Sequence, residues 1–306
     1  MSLSRKLVLT VAGNRLITSL VSKYGMKLGA SRFVAGETLG TALEGIKKIN
    51  DQGLMVTLDH LGESVYKKKE ATAATEAALK LFDAIHERKI NSNVSVKLTQ
   101  LGLDIDPTFC YENINRIVAK AKEYNNFVRI DMEDTPRLEI TLDILNRLLD
   151  QHGHEHVGTV IQSYLYRSAN DCKELAKRDV NLRIVKGAYK EPTEVAFPDK
   201  KDVDQNYIKL VQQHLSGGHY TAIATHDEAL INDLKSWFDT QKIDKARYEF
   251  QMLYGVRSKL QKQLVEEGYR VRVYVPYGKD WYPYFTRRIA ERPANALFVL
   301  KSFFQK

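Results

Sequence analysis

Residues 127–134 read FVRIDMED, a short stretch in which apolar and charged side chains alternate. One parity is apolar and the other charged: Val128, Ile130 and Met132 against Arg129, Asp131 and Glu133. Successive side chains of a strand point to opposite faces, so this stretch predicts a strand with one apolar and one charged face. Burying an unpaired ion costs on the order of several kcal/mol, so the charged face needs partner charges or a ligand.

Seven more stretches of strand character lie between residues 54 and 278. Each is short, rich in β-branched or aromatic residues, and ends in glycine or polar residues. They read LMVTLDHLGE (54–63), VSVKLTQLG (94–102), VGTVIQS (157–163), LRIVKGAY (182–189), YTAIATHD (220–227), YEFQMLYG (248–255) and VRVYVPYG (271–278). Amphipathic segments separate the strands, including 76–88, 110–124, 138–151, 227–240 and 258–267.

Eight strand–helix units in series predict an α/β fold, a (β/α)8 TIM-type barrel. The glycine fingerprint GxGxxG of a doubly wound dinucleotide-binding sheet does not occur in the sequence. The length of 306 residues would also suit two medium domains, but no linker rich in Pro, Gly or Ser divides the chain. We therefore expect an N-terminal helical extension over residues 1–50 and one barrel domain over residues 51–306.

The composition is that of a globular protein with a basic excess. Lys and Arg number 46 against 38 Asp and Glu, a net charge of +8, which suits an anionic cofactor, an acidic substrate, a phospholipid surface or nucleic acid. The densest basic run is only 67–69, so we expect no nucleic-acid partner.

Cys110 and Cys172 show no CxxC spacing, which favours a reduced, cytoplasmic environment. The first residues predict a helix rather than a signal peptide, and no run approaches the ~18 apolar residues of a membrane span.

Polar residues concentrate at the carboxyl ends of the strands, where barrel enzymes carry their active sites. They are Asp59, Lys97, Asp131, Gln162, Arg183, Lys186, Thr225, His226, Gln251 and Tyr274. Lys97 and Asp131 come from adjacent strands and can form an ion pair inside the barrel. Schiff-base chemistry at Lys97 or Lys186 remains an alternative at this point.

A histidine cluster offers metal-ligand spacing elsewhere. His152, His154 and His156 directly precede the fourth strand, which places them at the opposite end of the barrel from the active site. We expect a solvated loop there and no metal site.

The last strand leads into DWYPYFTRRIAERP at 280–293. At 3.6 residues per turn, one arc of about 100° of this predicted helix carries Tyr284, Arg287, Arg288 and Glu291, beside a packing side with Phe285 and Ile289. Two functions fit the arginines: a surface pair between Arg287 and Glu291, or a guanidinium clamp for a carboxylate.

Ten ordered motifs give a more specific indication. They are SRFVAGET, TLDHLGE, SVKLTQLG, VRIDMED, QSYLYRS, LRIVKGAYKEP, ATHD, EFQMLYG, YVPYG and YFTRRIAERPAN. Together they resemble monofunctional bacterial proline dehydrogenase, from about Ser31 to the C-terminus. The resemblance implies a (β/α)8 flavoenzyme that binds FAD non-covalently at the carboxyl end of the barrel. It further implies oxidation of L-proline to Δ1-pyrroline-5-carboxylate and transfer of the electrons to a membrane quinone.

The resemblance also implies roles for individual residues. Catalytic roles fall on Asp131 and Arg183. Lys97, Arg287 and Arg288 would hold the proline carboxylate. Tyr274 and Tyr284 would border the proline ring. Contacts to FAD fall on Met132, Gln162, Lys186, Gly187, Ala188, Thr225 and His226.

Two further expectations concern location and competing functions. A quinone acceptor and basic N-terminal residues together suggest peripheral contact with the inner face of the membrane. The alternatives that stay open are a flavin barrel resembling methylenetetrahydrofolate reductase and a lysine-dependent aldolase.

Overall fold

The structure, a computed structural model, describes residue 26 and residues 29–62 and 64–291. The side chains of residues 290 and 291 lie outside the described part. In this part of the chain, eight parallel strands close into a barrel in sequence order. The strands are β1 (Met55–His60), β2 (Ser92–Val96), β3 (Val128–Ile130), β4 (Val157–Gln162), β5 (Leu182–Val185), β6 (Thr221–Ala224), β7 (Tyr248–Leu253) and β8 (Val271–Tyr277). The predicted barrel is confirmed.

In the described ranges, an α-helix follows every strand and one α-helix precedes β1. They are α1 (Leu39–Asn50), α2 (Lys68–Glu87), α3 (Pro107–Glu123), α4 (Thr135–His152), α5 (Ser168–Ala176), α6 (Lys200–Ser216), α7 (Glu228–Gln241), α8 (Ser258–Glu266) and α9 (Trp281–Glu291). Of the predicted helical extension 1–50, the structure describes a 3₁₀ turn at Ala30–Arg32 and α1; residues 1–25 lie outside the described part. No described helix has the length and apolar character needed to cross a bilayer.

The segment from Ala30 to Glu37 runs along the carboxyl end of β8. The amide of Ala35 donates to the carbonyl of Pro276 at 2.9 Å. Glu37 accepts a hydrogen bond from the indole Nε1 of Trp281, in the first turn of α9, at 2.9 Å. The segment therefore ties α9 to the barrel at the end where the strand carboxyl termini meet.

The second strand is shorter than the sequence predicts. The alternating apolar pattern suggests a strand to residue 102, but β2 ends at Val96 and Leu98–Leu101 form a 3₁₀ turn. The carboxylate of Glu133 accepts hydrogen bonds from the amide of Thr99 at 3.1 Å and from its hydroxyl at 2.7 Å. These bonds hold the turn directly after Lys97, so a contact from the next strand end overrides the local strand preference.

The apolar core lies between the strands and the outer helices. The apolar face of the strands is buried there, including Val56, Leu58, Val94, Val128, Ile130, Val271, Val273 and Val275. Met132 differs, since it packs in a separate small cluster with Leu138, Val160 and Leu165. The opposite face fills the barrel lumen with polar side chains, among them Arg129 and Asp131 of the charged face predicted at 127–134.

Candidate active site

Four side chains meet at the carboxyl end of the lumen: Lys97, Asp59, Asp131 and Tyr274. The Nζ of Lys97 lies 3.2 Å from Oδ2 of Asp59 and 3.5 Å from Oδ2 of Asp131. The Tyr274 hydroxyl donates to the same two carboxylates, at 2.7 and 3.0 Å. The predicted pairing of Lys97 with Asp131 is present, and Asp59 joins it from β1.

Asp131 is the centre of this group. Its Oδ1 accepts from Nη1 of Arg183 at 2.6 Å and from the hydroxyl of Ser95 at 2.8 Å. Burial alone would raise the pKa of Asp131, but Arg183 and Lys97, with the hydrogen bonds from Ser95 and Tyr274, outweigh burial and hold that pKa below its ordinary value. Asp131 is therefore a stable anion between two cations.

Tyr274 works as a hydrogen-bond donor in this group. Burial, followed by the negative charges of Asp131 and Asp59, raises the pKa of its phenol well above the ordinary value. The guanidinium carbon of Arg183 lies 5.4 Å from the centre of the Tyr274 ring. Two carboxylates and two cations balance here, so the group can orient a small polar substrate without gaining a buried net charge. Lys97 sits between two carboxylates, whereas a Schiff-base lysine must react as the free amine.

Beneath these residues the lumen floor is filled by Arg129. Its guanidinium donates to the carbonyls of Thr159 and Asn181, both at 2.6 Å. Gly158 on β4 leaves the space for it, because a Cβ there would lie 2.2 Å from the Asn181 carbonyl oxygen and 3.0 Å from Nη1 of Arg129. Burial, then repulsion from Arg183, lowers the pKa of Arg129 well below its ordinary value.

Gln162 and Arg183, beside this group, each carry a buried polar atom without a protein partner among the described residues. The amide nitrogen of Gln162 donates to the carbonyl of Glu133 at 3.2 Å and lies 3.4 Å from that of Met132, while its Oε1 is unpartnered. Nη2 of Arg183 is unpartnered as well. Buried donors and acceptors are normally satisfied, so a bound group with matching polar atoms fits between them.

The predicted cofactor turn 186–188 follows β5. Gly187 has φ +112°, and a Cβ on it would lie 2.3 Å from the ring of Tyr164, so both conformation and space require glycine. Lys186 forms ion pairs with Asp204 at 2.5 Å and Asp227 at 2.9 Å. Two carboxylates therefore match the positive charge of Lys186.

Thr225 and His226 follow β6 at the same end of the barrel. The hydroxyl of Thr225 accepts from the amide of Asp227 at 3.1 Å. Nε2 of His226 accepts from the amide of Leu253 at 2.9 Å, which places the proton of the neutral ring on Nδ1. The loop after β6 is thereby joined to the last residue of β7.

The arginine pair lies on α9, where Phe285 packs inward as predicted. Tyr284 is also buried, in a cluster with Phe285 and Trp281, although the sequence placed it on the polar arc. Arg287 and Arg288 are half-buried, and the Arg288 guanidinium lies 5.2 Å from the centre of the Tyr284 ring. The side chain of Glu291 is outside the described part, so its pairing with Arg287 stays a prediction.

The three histidines near β4 have separate partners. His152 contacts Asn115 at 2.6 Å, and His154 lies 3.5 Å from Asp179. His156 is buried and contacts the carbonyl of Asn126 at 2.9 Å, so the expectation of a solvated loop is wrong for this residue. Within the described ranges, no His, Cys, Asp or Glu side chains group in threes as metal ligands would. Both cysteines are free and buried.

Sequence comparison decides which family this site belongs to. The family model of proline dehydrogenase matches residues 42–301. The chain belongs to the proline dehydrogenase family. Proline dehydrogenase of Deinococcus radiodurans is 49% identical over 302 residues, with 98% of this chain and 97% of the relative covered. Proline dehydrogenase 1 of Bacillus subtilis (strain 168) is 46% identical over 302 residues, with 99% of each chain covered.

A solved structure from a larger protein supports the same family. The crystal structure of proline utilization A from Bdellovibrio bacteriovorus, inactivated by N-propargylglycine, has a TM-score of 0.83 and 26% identity to this chain. The match covers 90% of this chain and 34% of that one, so the chain spans about a third of the larger protein. The resemblance drawn from the ten motifs is confirmed.

Sequence reasoning left three side chains of this site without a role. The sequence identifies Asp59 and Gln251 only as polar strand-end residues, and it assigns no role to Ser95. Parity shows that a side chain faces the lumen, but not which neighbour it reaches. The inward carboxylate of Asp59, on the strand that pairs with the strand of Tyr274, was the available signal.

Proposed function

We propose that this protein is an FAD-dependent proline dehydrogenase that oxidises L-proline to Δ1-pyrroline-5-carboxylate, the first step of proline degradation to glutamate. The observation that carries the proposal is the balanced group of Lys97, Asp131, Arg183 and Tyr274 at the carboxyl end of a barrel. It occurs in a chain that is similar over nearly its whole length to curated proline dehydrogenases.

The substrate carboxylate is held in this proposal by Lys97 and by the two arginines of α9. An arginine presents its donors in a planar fork that matches a carboxylate, so Arg287 and Arg288 fix orientation as well as charge. Tyr274 and Tyr284 border the ring, Tyr274 with its hydroxyl already engaged by Asp59 and Asp131. Holding the carboxylate sets which ring carbon faces the cofactor.

Two buried side chains with unused polar atoms fit a flavin. Gln162 offers an acceptor and Arg183 a donor, both buried. Gly187 keeps its turn close to the ring of Tyr164, and Met132, Lys186, Ala188, Thr225 and His226 complete the proposed contacts. When bound, FAD supplies the oxidant that accepts the hydride from the proline C5 carbon.

Asp131 and Arg183 have the catalytic roles in this proposal. Arg183 carries a positive charge with one guanidinium nitrogen unused, and Asp131 keeps that guanidinium and the Lys97 ammonium in fixed relative positions. Preorganised charges of this kind cost no rearrangement during the reaction.

A single spectroscopic experiment tests the function. The purified protein, reconstituted with FAD, should show an oxidised flavin spectrum that bleaches on addition of L-proline under anaerobic conditions. The released cofactor should be FAD. A protein that binds no flavin, or a bound flavin that L-proline leaves oxidised, would reject the proposal. Inactivation by borohydride in the presence of a carbonyl substrate would instead indicate the aldolase.

The electron acceptor proposed is a membrane quinone, reached by peripheral contact of this basic chain with the membrane. Each basic residue near an anionic surface contributes about 1 kcal/mol. Co-sedimentation with anionic liposomes at low salt, reversed by high salt, is the expected result. Equal recovery with neutral and anionic liposomes would exclude attachment by charge.

A further inference from the structure

Arg183 is supported from below by a hydrogen-bonded column inside the lumen. Its Nε donates to Oε1 of Gln251 at 2.6 Å, and Nε2 of Gln251 donates to Oε1 of Glu249 at 2.5 Å. Glu249 in turn accepts from Nε of Arg272 at 2.6 Å. The column runs from Arg272 on β8 through Glu249 and Gln251 on β7 and crosses the lumen to Arg183 on β5, at the candidate site.

We propose that Gln251 is a positioning residue for Arg183, fixed in one amide orientation by Glu249. The proposal rests on the proposed function, since it assigns Arg183 to the reaction.

The amide orientation follows from donor and acceptor chemistry. An arginine Nε can only donate, and an ionised carboxylate can only accept. The amide of Gln251 lies between the donor Nε of Arg183 and the acceptor carboxylate of Glu249. Its oxygen must therefore face Arg183 and its nitrogen must face Glu249. A flipped amide would oppose donor to donor and acceptor to acceptor at about 2.5 Å, in a site where the three side chains are buried.

Glu249 is itself held firmly as an anion. Oε2 accepts from Nη2 of Arg272 at 3.0 Å and from the hydroxyl of Tyr220 at 2.8 Å. Burial opposes ionisation, but Arg272 and the hydrogen bonds from Gln251 and Tyr220 lower the pKa of Glu249 to about 2. The carboxylate that orients Gln251 is therefore charged at any pH at which the protein would be assayed.

Gln251 then sets the orientation of the Arg183 guanidinium. With Nε fixed on Gln251 and Nη1 on Asp131, the planar group has no free rotation, and Nη2 is the nitrogen left for a ligand. Without the Gln251 acceptor, Arg183 keeps its bonds to Asp131 and Ser95 but can tilt about them. The unused nitrogen would lose its defined direction.

The test compares Gln251→Met, Gln251→Glu and Tyr220→Phe in the flavin-loaded enzyme. Gln251→Met keeps the size and removes both hydrogen bonds, whereas Gln251→Glu in its protonated form keeps an acceptor for Arg183 and a donor to Glu249. Tyr220→Phe is the matched control, because it removes a hydrogen bond to Glu249 without altering the amide. In Gln251→Met we expect kcat for proline to fall about 10- to 100-fold, with KM within threefold of wild type. In Gln251→Glu we expect kcat to recover at least partly. In Tyr220→Phe we expect kcat to stay within about twofold of wild type.

Two readouts do not depend on turnover. The flavin midpoint potential should fall in Gln251→Met, because a less well placed cation stabilises the reduced, electron-rich form less. Crystal structures of wild type and Gln251→Met should show a different Arg183 orientation. An unchanged orientation and potential, or an equal loss of kcat in Tyr220→Phe, would overturn the positioning role. A wild-type enzyme that proline does not reduce would instead reject the proposed function, and the orientation would still be measured.

Discussion

The Nζ of Lys97 lies 3.2 Å from Oδ2 of Asp59, and this ion pair links β1 to the residue that follows β2. The same ammonium also faces Asp131 at 3.5 Å. Lys97 therefore bridges two carboxylates, the second of which also pairs with Arg183, so we expect a structural role for Lys97 beside its proposed contact with the substrate.

Replacing Lys97 with Met should affect both roles. Two carboxylates would lose their shared cation, and breaking a buried ion pair costs about 3–5 kcal/mol. We expect a clearly lower free energy of unfolding in urea and a large rise in KM for proline. Lys97→Arg, the charge-conserving control, should recover most of the stability. A stability of Lys97→Met equal to that of wild type would show that the carboxylates are not held by this lysine.

Tyr274 should determine which ring substrates are accepted. Tyr274→Ser removes the ring and opens space for a 4-hydroxyl group, so activity with 4-hydroxyproline should rise relative to proline. Tyr274→Phe keeps the ring but removes the donor to Asp59 and Asp131, so it should lower stability by roughly 2 kcal/mol without widening specificity. The measurement is the ratio of kcat/KM for the two substrates. A ratio that both variants leave unchanged would place Tyr274 outside the ring pocket.

The arginines of α9 are expected to clamp the substrate carboxylate. Arg287→Lys and Arg288→Lys keep the charge but lose the planar fork, so each should lower kcat/KM for proline about 30- to 1000-fold, the equivalent of roughly 2–4 kcal/mol. FAD content should stay near normal. Arg257→Lys is a suitable control, because Arg257 forms an exposed pair with Glu228 at 3.4 Å. Near-wild-type kinetics in both α9 variants would favour a surface role for the pair.

His214 should make the fold sensitive to mild acid. It is fully buried on α6, its Nδ1 contacts the Thr221 hydroxyl at 2.9 Å, and burial followed by repulsion from His219 lowers its pKa to about 3. In the unfolded chain the ordinary pKa is about 6.5, so the unfolded state alone takes up a proton below that pH. Stability should therefore fall from pH 6.5 to pH 5, by about 2 kcal/mol from this residue.

Urea unfolding of wild type and His214→Gln across this pH range measures the contribution. The variant is expected to start less stable and to change less with pH. The same slope in both proteins would assign the acid sensitivity to other groups.

Gly158 should tolerate no side chain. A Cβ would lie 2.2 Å from the Asn181 carbonyl oxygen and 3.0 Å from Nη1 of Arg129, so Gly158→Ala must displace backbone or a buried guanidinium. We expect a loss of several kcal/mol or an insoluble protein. Gly45→Ala on α1 is the matched control: no atom lies within 4 Å of its added methyl, and alanine should stabilise the helix by about 1 kcal/mol. Equal stability of the two variants would contradict the packing of Arg129 against β4.

The sequence predicted the barrel and the charged face of residues 127–134, because alternation of side chains is a property of the local backbone. It also placed Lys97 and Asp131 on neighbouring strands, close enough to pair. It did not predict that β2 stops at Val96, since Leu98 has the parity of a continuing strand and the contact with Glu133 comes from the next strand. Nor could parity show the order of contacts from Arg272 to Arg183, which depends on side-chain rotamers and on depth in the lumen.

The polar column that supports Arg183 also limits how this protein can be altered. In a lumen filled with aliphatic side chains, one residue can be exchanged for another of similar volume and the neighbours adjust. Here every member satisfies a specific donor or acceptor of the next, so a single exchange leaves a buried group unpaired. Homologues should therefore vary at these positions only in matched sets, and engineering of a new substrate range will succeed more often by replacing Glu249, Gln251 and Arg272 together than one at a time.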